Sequence, residues 1–228
     1  MKKIFTILTI FIIAVIGFVN PVKAGVFSDA TVEKPCKIAA IGDSITYPYS
    51  YAEFINSMPE YQVKNFAMCG TQVAGEREDS FVNRTKLMYV ESDIILIFGG
   101  TNDFCGFNYI HNPIGNIDDT EITTFCGAYN TMIKNLKQHN PMAKIVLLTP
   151  LKRMDMYNVN ADGFVLENYV NAVKAVAGHN GLDCIDLYND PACDFLANGL
   201  LIDGLHPNRT GQQIIAGEIS HYLTLKNY

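Results

Sequence analysis

The run Ile94-Ile95-Leu96-Ile97-Phe98, set between Asp93 and the pair Gly99-Gly100, constrains the fold more than any other stretch of the chain. Five consecutive apolar residues leave no polar face for water. A strand of this kind is therefore covered on both sides, as in a parallel sheet, whereas a half-solvated strand would alternate apolar with polar residues. Similar runs at Lys37–Ile41, Tyr61–Met68, Lys144–Thr149 and Leu182–Leu187 predict four further strands. Segments with helical spacing lie between and after them: Tyr51–Met58, Ser80–Val90, Glu121–His139, Phe164–Ala177 and Asn208–Leu225. Their stops are chemical. Pro59 ends the first, Asn140-Pro141 the third, and Gly178 and Gly181 follow the fourth. Strands interleaved with helices predict a parallel sheet with helices on both faces. The long loops Phe104–Thr120 and Leu151–Asp162 both follow strand carboxyl ends, the edge where open parallel sheets bind ligands.

The N-terminus is set apart from this pattern. Lys2 and Lys3 precede an apolar run from Ile4 to Val19, and small residues surround Ala24. The run is short for a membrane span of ~20 residues. Residues 1–24 are expected to be a secretory signal cleaved after Ala24, leaving 25–228 as one domain. The mature protein is then expected in a secreted, periplasmic or cell-surface location, without stable membrane insertion. Removing three lysines with the signal leaves 14 basic against 23 acidic residues, a formal charge of −9. Such a surface disfavours nucleic acid and anionic membranes as partners. The six cysteines, Cys36, Cys69, Cys105, Cys126, Cys184 and Cys193, contain no C-x-x-C pair, so no zinc or dithiol site is indicated. An exported chain permits disulfides, and Cys105–Cys126, Cys184–Cys193 or Cys69–Cys105 could bridge. Buried free thiols are the alternative reading, strongest for Cys184.

Chemistry gathers at the strand ends. Gly42-Asp43-Ser44 follows the first strand, Gly70 the second, Gly100-Thr101-Asn102-Asp103 the third, and Asp203-Gly204-Leu205-His206 the fifth. A serine hydroxyl needs a base to take its proton as it attacks, and histidine, oriented by a carboxylate, is the usual one. Asp43 and Asp103 are expected to hold loops by hydrogen bonds. His111, His139, His179 and His221 lack a partner motif and read as surface or loop residues.

The order Gly-Asp-Ser, Gly, Gly-x-Asn-Asp, Asp-x-x-His resembles that of the SGNH, or GDSL-type, hydrolases. The four blocks span nearly the whole mature chain. The resemblance implies a single-domain three-layer α/β/α fold (flavodoxin-like) with a five-stranded parallel sheet. It implies Ser44 as nucleophile, His206 as general base and then acid, and Asp203 as its orienting carboxylate. The backbone N–H groups of Ser44 and Gly70 and the side-chain amide of Asn102 would form the oxyanion hole. No metal or organic cofactor is implied. The sequence departs from the family after the nucleophile, where a glycine is common but Thr46-Tyr47-Pro48-Tyr49-Ser50-Tyr51 stands here. These tyrosines, with Phe104, Phe107 and Tyr109, could contact sugar rings or acyl chains, or simply pack in the core. The expected substrates are short-chain or carbohydrate O-acetyl esters. Lysophospholipids, lipids, thioesters or transfer to a sugar hydroxyl are the alternatives within the family, and a non-catalytic glycan-binding role lies outside enzymology.

Overall fold

The computed structural model describes residues 34–106 and 111–228. The expected signal segment 1–24 and the aromatics Phe107 and Tyr109 lie outside the described residues. The elements run β1 (Cys36–Gly42), α1 (Tyr51–Asn56), β2 (Tyr61–Asn65), α2 (Phe81–Arg84), β3 (Ile94–Phe98), α3 (Thr101–Cys105), α4 (Phe125–His139), β4 (Lys144–Leu148), α5 (Leu166–His179), β5 (Asp183–Ile185) and α6 (Arg209–Leu225). The five strands form one parallel sheet in the order β2-β1-β3-β4-β5.

The side-chain alternation of each strand feeds two cores. Ala39 and Ile41 of β1, Ile95 and Ile97 of β3, and Ile145 and Leu147 of β4 pack with α2, α4 and α5 through Phe81, Phe125, Tyr129, Tyr169 and Val173. Ile38, Ala40, Ile94, Leu96, Phe98, Val146, Leu148 and Ile185 turn the other way, against Tyr51 and Ile55 of α1 and Ile215 and Ile219 of α6. All five residues of β3 are buried, as a run without a polar face requires. β2 is one of the two edge strands, with Gln62 and Lys64 exposed on one face, and a lysine there discourages further strand pairing.

Three differences from the sequence expectation have physical causes. The helix expected over 80–90 stops at Arg84. The Thr85 hydroxyl donates back to the Phe81 carbonyl, and Leu87 and Tyr89 are exposed, so the second half has no apolar stripe to bury. The long helix starts at Phe125 rather than Glu121, because the Thr124 hydroxyl accepts the N–H of Gly127 and caps it there. The short α3, absent from the expectation, starts after Gly100, whose backbone turns at φ +113.

The disulfide expectations do not hold, and all six cysteines are free. Cys193 is buried in the α1/α6 core, whereas Cys184 packs into the core on the opposite face of the sheet. Burial pushes the thiol of Cys126 up to about 11 and those of Cys184 and Cys193 up to about 12. They behave as small apolar groups rather than reactive thiolates.

Candidate active site

Strand register brings the four blocks to one edge. Gly42, the last residue of β1, pairs with Phe98, the last of β3, so the loop carrying Ser44 and the turn into α3, whose first residues include Asn102, leave the sheet side by side. Past the end of β2, the Phe66 N–H still donates to the Ala40 carbonyl and the Met68 N–H to Gly42, which carries the neighbouring loop to the same edge. Gly70 follows at φ +69, in the left-handed region that glycine enters without Cβ strain.

Asp203-Gly204-Leu205-His206 sits at the tip of a tight reversal. An antiparallel bridge joins Leu201 to Pro207, and the Ile202 N–H donates to the His206 carbonyl at 2.8 Å. One oxygen of Asp203, Oδ1, accepts the backbone N–H groups of Leu205 (3.1 Å) and His206 (2.8 Å). Its other oxygen, Oδ2, lies 2.7 Å from His206 Nδ1, and His206 Nε2 lies 2.9 Å from Ser44 Oγ. Asp203, His206 and Ser44 therefore form one hydrogen-bonded chain across 162 residues of sequence. The bonds from the His206 backbone and ring lower the Asp203 carboxyl to about 2, so it stays ionised at neutral pH. An ionised Asp203 fixes the proton on Nδ1 and leaves Nε2 free to accept one from Ser44.

Two of these loops are tied together by bonds that sequence reasoning found only in part. Asn102 Nδ2 donates to the Thr71 carbonyl (3.0 Å), which fixes the plane of its amide and uses one of its two N–H donors. Gln72 Nε2 donates to the Asn102 carbonyl at 3.3 Å. Asp103, fully buried, accepts the N–H groups of Val73 (2.9 Å) and Ala74 (3.0 Å), one on each oxygen. The Gly70 loop and the start of α3 are thus clamped at four points.

Residues 40–214 match the model of the GDSL-like Lipase/Acylhydrolase family. The chain belongs to this family. It is an ester-hydrolysing enzyme with the α/β fold of that group. No curated protein matches the chain in sequence. One solved structure is 28% identical, covering 84% of this chain and 97% of its own, with a TM-score of 0.75. A structure described as a possible lipase from Chitinophaga pinensis is 24% identical, covers 84% and 98% of the two chains, and has a TM-score of 0.70. An acetyl xylan esterase is 21% identical over 82% of this chain and 99% of that one, with a TM-score of 0.58.

The other residues shaping this GDSL-like site left weaker marks in the sequence. Gln212 of α6 is buried; its Oε1 accepts the Tyr51 N–H (2.9 Å) and its Nε2 donates to the Ile45 carbonyl (3.1 Å). It couples the helix that follows His206 to the loop that carries Ser44. A glutamine in the first turn of an amphipathic helix gives no cue to that role. The tyrosines after Ser44 divide. Tyr51 is buried with its hydroxyl 3.2 Å from Thr46 Oγ1, so it supports the loop from inside, while Tyr47 and Tyr49 face solvent. Asp43 accepts the Ile45 N–H at 2.9 Å, and Arg84 donates to the Gly42 carbonyl at 2.8 Å beside it. Burial lowers the Arg84 guanidinium to about 10.

Burial also raises the Asp43 carboxyl to about 6 and that of Asp103 to about 7, against the backbone N–H bonds each accepts. A carboxyl held above its unfolded value stays protonated on folding at pH values where the unfolded chain releases the proton. Its contribution is therefore fully present below the unfolded value of 3.8 and declines as pH rises through about 7 for Asp103. Asp103→Asn keeps one acceptor but turns an NH₂ group toward a backbone N–H. The variant is expected to lose about 1–3 kcal/mol. It should also show a shallower fall in stability between pH 4 and 7 than the wild type does. Urea unfolding across that range measures both quantities, and an unchanged slope would show that Asp103 does not titrate there.

Proposed function

We propose that the protein hydrolyses carboxylic esters by transferring the acyl group to Ser44, with short acyl groups and carbohydrate O-acetyl esters as its substrates. The observation that carries the mechanism is the unbroken chain from Ser44 Oγ to His206 Nε2 (2.9 Å) and from His206 Nδ1 to Asp203 (2.7 Å). His206 takes the hydroxyl proton as Oγ attacks the ester carbonyl. The new C–O bond displaces the carbonyl electrons onto oxygen, and the Ser44 and Gly70 N–H groups with the Asn102 amide receive that charge. His206 then gives its proton to the alcohol oxygen, the bond to the alcohol breaks, and the acyl-serine remains. A water molecule, deprotonated by the same histidine, repeats the sequence and releases the acid.

Support for the substrate half comes from the loop beyond the nucleophile. Tyr47 is 47% and Tyr49 82% exposed, which leaves flat rings near the carboxyl edge where a sugar could stack. An acetyl xylan esterase uses the same fold. Cleavage of a signal after Ala24 would place the enzyme among extracellular polymers, and the mass of the secreted protein tests that point.

Two measurements test the proposal. Rapid quenching during turnover of p-nitrophenyl acetate, followed by peptide mass spectrometry, should find the acetyl group on Ser44. A panel of p-nitrophenyl esters, run beside acetylated xylan, should show kcat/KM highest for acetyl and other short chains. A clear preference for palmitoyl over acetyl esters would overturn the substrate half and leave the acyl-serine half standing.

A further inference from the structure

Two exposed apolar side chains flank the histidine turn, on loops that contact it directly. Met154 is 68% and Ile202 74% exposed. Met154 lies in the long loop after β4, and its backbone N–H donates to the Gly204 carbonyl at 2.8 Å. Its side chain lies over Gly204 so closely that a Cβ at that position would meet Met154 Cε at 2.2 Å. Gly204 also adopts φ +81, so the turn requires glycine for its backbone and for the methionine seated on it. Ile202 immediately precedes Asp203, and its N–H holds the His206 carbonyl. Leaving two large apolar side chains in water beside a polar triad forgoes the burial that would otherwise favour them.

The chemistry assigns a direction to this surface. In the step that breaks the ester, the leaving oxygen must reach His206 Nε2 to take its proton. The carbonyl oxygen is meanwhile held on the side of Gly70 and Asn102. The alcohol half of the substrate therefore extends past the histidine turn, whereas the oxyanion side of the site faces the other loops. We propose that Met154 and Ile202 form an apolar platform for the alcohol half, and that the preferred alcohol presents a face of C–H groups spanning several carbons. This rests on the reading of Ser44 and His206 given above. A sugar ring and an alkyl chain both offer such a face.

The test compares acetates of primary alcohols, so that the acyl group and the reactivity of the leaving oxygen stay nearly constant. The wild type should hydrolyse at least one of hexyl acetate and a methyl glucoside acetylated on its primary hydroxyl with kcat/KM roughly tenfold or more above that for ethyl acetate, since apolar contact of a few methylene groups readily gives such ratios. The ester that shows the preference identifies the source of the face, ring or chain. In the double variant Met154→Ser, Ile202→Ser the ratio should fall toward one. The Met154 backbone bond to Gly204 is retained in that variant, and circular dichroism checks its fold. The wild-type ratios are a test on their own if the double variant does not fold. Ratios near one for both esters in an active wild type, or ratios unchanged in the folded variant, would overturn the platform while leaving the acyl-serine mechanism intact. Failure of the wild type to turn over p-nitrophenyl acetate would overturn both.

Discussion

Replacing Ser44 by alanine is expected to lower kcat on p-nitrophenyl acetate by on the order of 10⁴-fold or more, with the fold retained. The magnitude follows from what the hydroxyl does. It is half-buried just past the end of β1 and hydrogen-bonded to His206, so its loss leaves little behind in the way of packing. What goes is the atom that forms the covalent bond, and the residual rate is that of water attack assisted by the oxyanion donors. His206→Ala should cost about as much, because a base without a nucleophile and a nucleophile without a base are equally idle. The double variant supplies the sharper test. Groups that act as one unit are non-additive, so Ser44→Ala with His206→Ala should be scarcely slower than either single variant. Losses that multiply would mean that the two residues act in separate steps, and the hydrogen-bonded chain would then be structural only. Thermal unfolding of each variant separates lost chemistry from lost fold.

The sequence made the sheet legible because β3 has no polar face and the runs flanking it share its character. That pattern leaves few alternatives to a covered parallel sheet. The positions of Ser44, Asn102, Asp203 and His206 were legible because each lies immediately beyond a strand or just before a helix cap, where the chain emerges at the carboxyl edge. Helix limits were less so. At 80–90 the apolar spacing suggested a helix, but the choice of which residues face the core lies with the neighbouring loops, and they leave Leu87 and Tyr89 in water. The cysteines failed for a related reason. Short separation in sequence makes Cys184 and Cys193 look pairable, yet period-2 alternation puts Cys184 on one face of the sheet while the chain crosses to the other before Cys193. The supporting shell was the least visible. Gln212 and Gln72 are ordinary polar residues until the fold sets a backbone N–H or carbonyl opposite each of them.

Asn102→Ala is expected to reduce kcat by about 10²–10³, equivalent to about 2.7–4 kcal/mol in the barrier, with little change in KM. The asymmetry is the point of the prediction. A neutral ester carbonyl is a modest hydrogen-bond acceptor, whereas the tetrahedral intermediate carries a full negative charge. A donor that meets the charge acts mainly in the transition state and so appears in kcat. Asn102 has a second task that must be separated from the first, because its Nδ2 also donates to the Thr71 carbonyl (3.0 Å) and helps hold the Gly70 loop. Asn102→Asp removes both N–H donors and sets a carboxylate both against the Thr71 carbonyl and where negative charge develops, so it should be at least as slow as alanine; comparing lost activity with lost thermal stability across the two variants separates the two tasks. If Asn102 served only to brace the loop, alanine and aspartate variants would lose activity in proportion to their loss of thermal stability. KM would rise as the loop loosened. Affinity for a phosphonate that mimics the tetrahedral intermediate gives the deciding comparison. It should fall in parallel with kcat/KM across wild type, Asn102→Ala and Asn102→Asp if the amide acts on the oxyanion, and should stay nearly constant if it does not.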